Sequence, residues 1–254
     1  MIFDRRRYRK DNYTYLLADG ADAALVDPGD PGIALGLAAA HGVRPRFILH
    51  THGHHDHTGG TARVREALGA TVLGHGGDAA WFAPDEDVAG RAELALGALR
   101  VGVVPVPGHT PGSVVYVWRG RALTGDTLFW GGAGNCRHGG DPERLARSLT
   151  GPLAALDGAL EVHPGHDYAE LNLPFGLGLE SDNARAAARL AAVRAARAAG
   201  EEPPPSTLDE ERAVNPFLRV LVPTVRDAVR VRAPEASEDA VSLVVALRRL
   251  RDGV

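Results

Sequence analysis

Five of the chain's eleven histidines fall in one short run, His50-Thr51-His52-Gly53-His54-His55-Asp56-His57. Imidazole nitrogens beside a carboxylate are the donors that zinc-like and iron-like ions take. The pattern reads H-x-H-x-D-H, with Phe47-Ile48-Leu49 before it and Gly59-Gly60 after it. An apolar strand thus hands its donors to a tight loop. On a loop, His52 and His54 can converge on one ion while Asp56 and His57 turn to a second.

Three more positions repeat that context. His109 stands in Pro107-Gly108-His109-Thr110-Pro111-Gly112, between two apolar runs. Asp126 stands in Thr124-Gly125-Asp126-Thr127 and His166 in His163-Pro164-Gly165-His166-Asp167, each just past a strand-like run. A single histidine or aspartate at a turn is ordinarily a solvated side chain. Seven of them, all at strand ends beside glycine or proline, make a metal centre the better reading.

The elements that must position these residues follow from the pattern. Apolar runs bounded by turn residues predict strands at Tyr13–Leu17, Ala23–Val26, Arg46–Leu49, Thr71–Leu73, Leu99–Val104, Val114–Trp118 and Ala122–Thr124. Asp30-Pro31 opens a helix that His41-Gly42 closes, and Asp141-Pro142 opens another running to about Leu156. Beyond about Asp167 the chain turns helical. A helix is predicted from Asp182 to Ala199, a short one from Ser206-Thr207 through Glu211 and Arg212, and a last one over Glu238–Leu250. Pro203-Pro204-Pro205 must break the helical run. A mixed α/β domain over residues 1–167 is therefore followed by a helical region over 168–254.

Composition removes several function classes. The formal net charge is −4 and the apolar content 44%, which suits a globular protein and argues against a general nucleic-acid binder. The basic stretch Arg5-Arg6-Arg7 with Arg9-Lys10 reads as a solvated edge. No apolar run is long enough for a membrane span and no secretory signal is visible. The only cysteine, Cys136, rules out an internal disulfide and fits a cytoplasmic location. No G-x-S-x-G elbow is present, and Cys136 lacks the context of a thiol nucleophile.

The metal motifs resemble the metallo-β-lactamase superfamily and, within it, glyoxalase II, the hydroxyacylglutathione hydrolases. The resemblance rests on Thr51–His57, Pro107–Gly112, Gly125-Asp126-Thr127-Leu128-Phe129 and Gly165-His166-Asp167-Tyr168. It extends to Pro205-Ser206-Thr207-Leu208, Glu210-Glu211 and Asn215-Pro216-Phe217-Leu218-Arg219. It implies an αββα sandwich (α/β class) followed by a helical C-terminal region, to which it assigns substrate binding. It implies two divalent ions, zinc or iron, with manganese also possible. One would take His52, His54 and His109, the other Asp56, His57 and His166, with Asp126 between them. Asp56 could also handle the water's proton, a catalytic role. His55 takes a variable position, His50 a packed or supporting one, and Asp27 either supports the ligand loop or caps a turn. The activity implied is hydrolysis of S-2-hydroxyacylglutathione, such as S-D-lactoylglutathione, by a metal-bound hydroxide, available because the ions lower the pKa of their water from about 15.7 toward neutrality.

The carrier side departs from the family. Asn135 stands where a cation is common and Arg137 where an aromatic is common, while Tyr168 matches a substrate-contacting tyrosine. Arg219 is expected as a carboxylate clamp. Two other readings remain: a mononuclear iron persulfide dioxygenase of the same superfamily, which would not ligate through His166, and a non-catalytic, metal-stabilised binding module. The expected partner is a small glutathione-derived thioester. No nucleic acid or membrane partner is expected, and the sequence does not set the oligomeric state.

Overall fold

The structure is a computed structural model that describes residues 1–253. Two six-stranded sheets face each other, with helices outside both. The first sheet runs in chain order: β1 (Ile2–Tyr8), β2 (Asn12–Asp19), β3 (Asp22–Val26), β4 (Phe47–Leu49), β5 (Thr71–Gly74) and β6 (Glu86–Asp87). Its first two pairings are antiparallel and the rest parallel. The second sheet comprises β7 (Glu93–Leu96), β8 (Leu99–Pro105), β9 (Val114–Trp118) and β10 (Arg121–Gly125). A small hairpin, β11 (Leu128–Phe129) with β12 (Gly132–Ala133), follows, and β13 (Glu161–Pro164) and β14 (Ser206–Thr207) complete the order β14-β13-β10-β9-β8-β7.

Strand β2 shows why the layers form. Its alternate residues Tyr13, Tyr15 and Leu17 enter the core between the sheets, with Tyr116, Trp118 and Leu123 from the other side. Leu16 and Ala18 face the opposite way, onto α1 (Pro31–Ala40) and α3 (Thr61–Leu68) through Leu37 and Val64. A strand covered on both faces is largely apolar, and β2 is buried at seven of its eight positions, with the two polar ones among them, Asn12 and Thr14, hydrogen-bonded to Asp56 and Val26 O. Each large side chain so buried contributes roughly 1.5–3 kcal/mol.

The core continues from the second sheet into α4 (Pro142–Thr150), α6 (Ala184–Ala198), α7 (Leu208–Val214), α8 (Pro223–Arg232) and α9 (Ala240–Asp252), through Leu149, Val193, Leu208, Val225 and Leu247. Between α4 and α6 lies α5 (Ala169–Leu179).

Several expectations are corrected. Arg5, Arg6 and Arg7 lie in the edge strand β1 and Arg9-Lys10 in the turn after it; Arg6, Arg9 and Lys10 are exposed as expected, but Arg5 is part-buried: its guanidinium donates to Pro203 O and lies over the Tyr13 and Trp130 rings. The alkyl stem and planar head let this arginine cover apolar surface. Helix α4 stops at Thr150, because Gly151 leaves helical geometry and Pro152 supplies no N–H to continue it. Helices α3, α5 and α8 carried no signal recognised in the sequence; α5 hides its character behind Pro174, Gly176 and Gly178. The histidine run is not all loop, since His55–Thr58 form one helical turn, α2.

Candidate metal centre

Strand direction explains where the donors meet. Strands β3, β4 and β5 are parallel, so Asp27 and the histidine run leave the same edge of the first sheet. Strands β10 and β13 are parallel, and β8 runs with β10 because β9 opposes both. Asp126, His166 and His109 therefore leave the matching edge of the second sheet. The two edges are stitched together by Tyr13 N–H to Gly165 O (2.9 Å) and Val114 N–H to Thr51 O (2.8 Å), and by the Tyr15 and Tyr116 hydroxyls donating to Pro164 O and His50 O.

Three donor groups have their ligand atoms within 4.8 Å of one another: His52, His54 and His109; Asp56, His57 and His166; and Asp27, His52 and His57, of which Asp27 is taken up by the Thr51 N–H and hydroxyl. Asp126 lies between the first two. Its Oδ1 is 3.4 Å from His57 Nε2, and its Oδ2 is 3.4 Å from His166 Nε2 and 3.6 Å from His109 Nε2. Burial opposes charge on Asp126, but His166 and His57 outweigh it and hold the carboxyl well below its usual range. The same opposition works on Asp56, where His166, His57 and the Asn12 amide prevail over burial.

The donor chemistry fits cations. His109 Nδ1 donates to Asn135 O (2.6 Å) and His54 Nε2 donates to His138 O (3.0 Å). With those N–H groups committed, His109 Nε2 and His54 Nδ1 are lone-pair nitrogens facing each other at 2.9 Å. Burial pulls His109 down to about 4, so a second proton on its own ring does not relieve that contact at neutral pH. A cation between them does. His52 Nε2 and Asp126 Oδ1 are buried without any hydrogen-bond partner, as metal-directed atoms are. At Gly165 a Cβ would come within 2.2 Å of Asp126 Oδ1, so only glycine leaves that carboxylate its place.

Each ring is also held from behind, as ligating imidazoles usually are. Asp11 Oδ1 is 2.8 Å from His166 Nδ1, Asp27 Oδ2 is 3.3 Å from His57 Nδ1, and the Thr51 hydroxyl is 3.1 Å from His52 Nδ1. Asp27, buried and left-handed at φ 51°, accepts the Thr51 N–H and hydroxyl, which ties the ligand loop to β3. His50 is buried against Thr61 and the Phe82 ring, and His55 is exposed.

Asp78 was not recognised from the sequence. Fully buried, it accepts from Gly53 N–H (2.8 Å), Thr110 Oγ1 (2.6 Å) and Gly112 N–H (2.7 Å), so one carboxylate joins the loop carrying His52 and His54 to the loop carrying His109. Its signal was present: an aspartate after Gly76-Gly77, just past β5, in the setting of the other donors.

A cavity of about 240 Å³ opens beside His166. Tyr168 lines it and stacks on the His166 ring (4.9 Å, 7°), and Phe129, Asn135 and Arg137 line it too. The structure does not bring Arg219 there: its guanidinium forms a two-pronged pair with Glu180, at 3.0 and 2.7 Å. Arg248 and Arg251 of α9 supply the cavity's cations instead. Arg248 is buried, donates to Ala133 O (2.7 Å) and lies over the Phe217 ring. Nothing local in the sequence distinguishes it from the other arginines of α9. Cys136 takes no nucleophile's part, as burial pushes its thiol up to about 11.

Comparison with known proteins extends these findings. Residues 7–166 match the family model of the metallo-beta-lactamase superfamily, and residues 167–254 that of the hydroxyacylglutathione hydrolase C-terminus. The chain is 71% identical over 253 residues to a hydroxyacylglutathione hydrolase of Anaeromyxobacter dehalogenans, covering 99% of each. It is 35% identical to the cytoplasmic hydroxyacylglutathione hydrolase of Arabidopsis thaliana, covering 89% of this chain and 90% of that one. Among solved structures it is similar to ETHE1 from Myxococcus xanthus (TM-score 0.69, 25% identity, 96% and 90% coverage) and to TTHA1623 in a di-iron-bound form (TM-score 0.61, 28% identity, 86% and 100% coverage).

Proposed function

The chain belongs to the metallo-beta-lactamase superfamily and, within it, to the hydroxyacylglutathione hydrolases, which cleave the thioester of S-2-hydroxyacylglutathione; from that premise we propose how its own residues carry the reaction. His52, His54 and His109 would hold one divalent cation and Asp56, His57 and His166 the other, with the Asp126 carboxylate, between the two sets, available to both. Zinc and iron suit this nitrogen-and-oxygen donor set, and manganese is compatible with it. Two such cations, when bound, lower the pKa of a water toward neutrality and polarise the thioester carbonyl.

The remaining work is done by side chains. Asp56 Oδ2, held by the Asn12 amide at 2.9 Å, faces His57 and His166 as a ligand atom, and the Asp56 carboxylate would also take the attacking water's proton. Asp11, Asp27 and the Asn135 and His138 carbonyls keep the imidazoles aimed. Tyr168 and Phe129 wall the cavity next to His166, where the carrier thiol lies, and Arg248, Arg251 and Arg137 receive its carboxylates. Asn135, on the same wall, faces the carrier as a neutral donor, and Arg219 serves the cavity only through the packing of the helical region. The water oxygen joins the acyl carbon, the C–S bond breaks, and the carrier leaves as a thiolate. No side chain becomes acylated.

The facing lone pairs of His54 and His109, in a set separated from the second only by Asp126, carry this reading. Metal analysis with S-D-lactoylglutathione hydrolysis tests it: two ions per chain and turnover are expected, and a chain that is active with a single iron and consumes oxygen on glutathione persulfide overturns it. The single-iron alternative gives His166 no ligand role. His166 Nε2, however, lies 3.1 Å from Asp56 Oδ2 and 3.4 Å from Asp126 Oδ2. We divide the chain at 167/168 into a metal-binding and a carrier-binding part, in keeping with the two family matches. We place it in the cytoplasm, with a small thioester rather than nucleic acid or membrane as partner. The support is its acidic balance, its lone cysteine and the name of its Arabidopsis relative. Among the described residues, no helix is long and apolar enough to cross a membrane.

A further inference from the structure

The carrier cavity is lined by three guanidiniums and one carboxylate, and the carboxylate is spoken for. Asp252, at the end of α9, sits one turn beyond Arg248, so the i,i+4 spacing puts both on one helix face. Its Oδ1 lies 2.8 Å from Arg248 Nη2 and 3.7 Å from Arg137 Nη2, and its main-chain oxygen accepts from Arg137. These are two of the three cations assigned above to the carrier's carboxylates. Arg251, the third, has no carboxylate partner among the described residues and lies over the Phe175 ring. The Arg248 side chain is 7% exposed and that of Asp252 26%, so water screens their contact only in part. A guanidinium fork that already meets one carboxylate gives up those hydrogen bonds when it turns to another.

We propose that Asp252 determines the carrier affinity of this cavity as a resident carboxylate, competing with a carboxylate of the bound thiol for Arg248 and Arg137. The proposal rests on the reading of this cavity as the carrier site. It gives Arg137 a place in the cavity: a guanidinium at that position is placed to meet Asp252 and is tied to the chain's own carboxylate. The cavity then holds anionic carriers less tightly than three unopposed arginines would, which favours release of the thiol product.

The test is the binding of glutathione to the metal-loaded enzyme, measured by titration calorimetry for the parent and for Asp252→Asn. Removing the competitor should lower the Kd for glutathione at least threefold. Glutathione diethyl ester, with both carboxylates blocked, should show less than a twofold change. A Kd that stays the same or rises in the variant overturns the proposal: Asp252 then organises the arginines, or receives the carrier's ammonium group. An equal gain for the diester overturns it too. Hydrolysis of S-D-lactoylglutathione by the parent is read separately. A parent that turns it over, with a variant that binds no tighter, sinks the competitor and leaves the thioesterase standing. Tighter binding by the variant with no hydrolysis by the parent does the reverse.

Discussion

The metal centre and the carrier cavity lie side by side, with His166 and Tyr168 in stacked contact between them, yet they are built in opposite ways. The metal centre uses short side chains at strand ends, each fixed from behind by a second contact within the sandwich. The cavity uses long arginines from a C-terminal helix and a loop, anchored by Asp252, by main-chain oxygens and by ring faces. Short ligands on sheet edges hold a geometry to a fraction of an ångström, which ion binding demands. Long cations on helices adjust, which suits a flexible peptide-like carrier. Substitutions in the first region should therefore cost metal and turnover, and those in the second should change affinity alone.

The hardest attempt to break that contrast is Asp126→Ala, which removes the one carboxylate within 3.6 Å of histidines from both sets. At least one ion should be lost, and kcat/KM should fall by on the order of 10³, the several kcal/mol that a bound cation contributes. Elemental analysis showing two ions with ordinary turnover would remove Asp126 from the centre.

Asp78→Asn is a finer cut. An amide presents an N–H to one of three groups that all donate, so the bond between the two loops is disordered with every metal donor still present. The affinity of the His52–His54–His109 set should drop roughly 10- to 100-fold, as for other groups that orient ligands. The Asp56–His57–His166 set should keep its ion. Competitive chelation resolves the two steps. A uniform weakening of both sites would mean that Asp78 only stabilises the fold, and Thr110→Val, which deletes one of the three bonds, should show the same site preference more weakly.

What could be read from the sequence divides along the same line. The ligands stood in contiguous motifs, because a loop leaving a strand end presents neighbouring residues to one point, and apolar runs bounded by turn residues located most of the strands that carry them. Asp78 shared that setting but stood alone, with no second donor beside it to mark it. The cavity could not be read in this way. Arg248 meets Ala133 O across 115 positions, and only the packing of α9 on the β11–β12 hairpin distinguishes it from Arg249. Arg219 was misleading for the same reason: its segment resembles a family motif, but Glu180, 39 positions earlier, takes its guanidinium.

Within the helical region, Arg248 can be set against Arg219. Arg248→Ala should raise KM for S-D-lactoylglutathione about tenfold or more, the 1.5–3 kcal/mol typical of a charge-assisted contact, with both ions retained and kcat little changed. Because Arg248 also supports the hairpin through Ala133, Arg251→Ala serves as the control free of that role, and it should move KM in the same direction by less. If neither variant raises KM, the carrier does not lie on α9.

Arg219→Ala should give the smallest effect and a different one. With its guanidinium on Glu180, KM should stay within about twofold of the parent, and the loss should be about 1 kcal/mol of stability, the upper end for a pair that is not deeply buried. That loss has a sign with pH. Burial pushes Glu180 up, but the hydrogen bonds from Arg219, Thr224 and Asn183 prevail and leave its carboxyl below the usual glutamate range. A carboxyl depressed in the folded state stabilises fully above the unfolded value, near 4.3, and ceases to do so as pH falls through the lower folded value. The gap in melting temperature between parent and variant should thus be widest at neutral pH and should narrow below about pH 4. A gap that is flat across this range would show that Arg219 acts by packing its stem. A KM that rises as much as for Arg248→Ala would show that Glu180 yields its partner to the carrier, and the two arginines would then belong to one site.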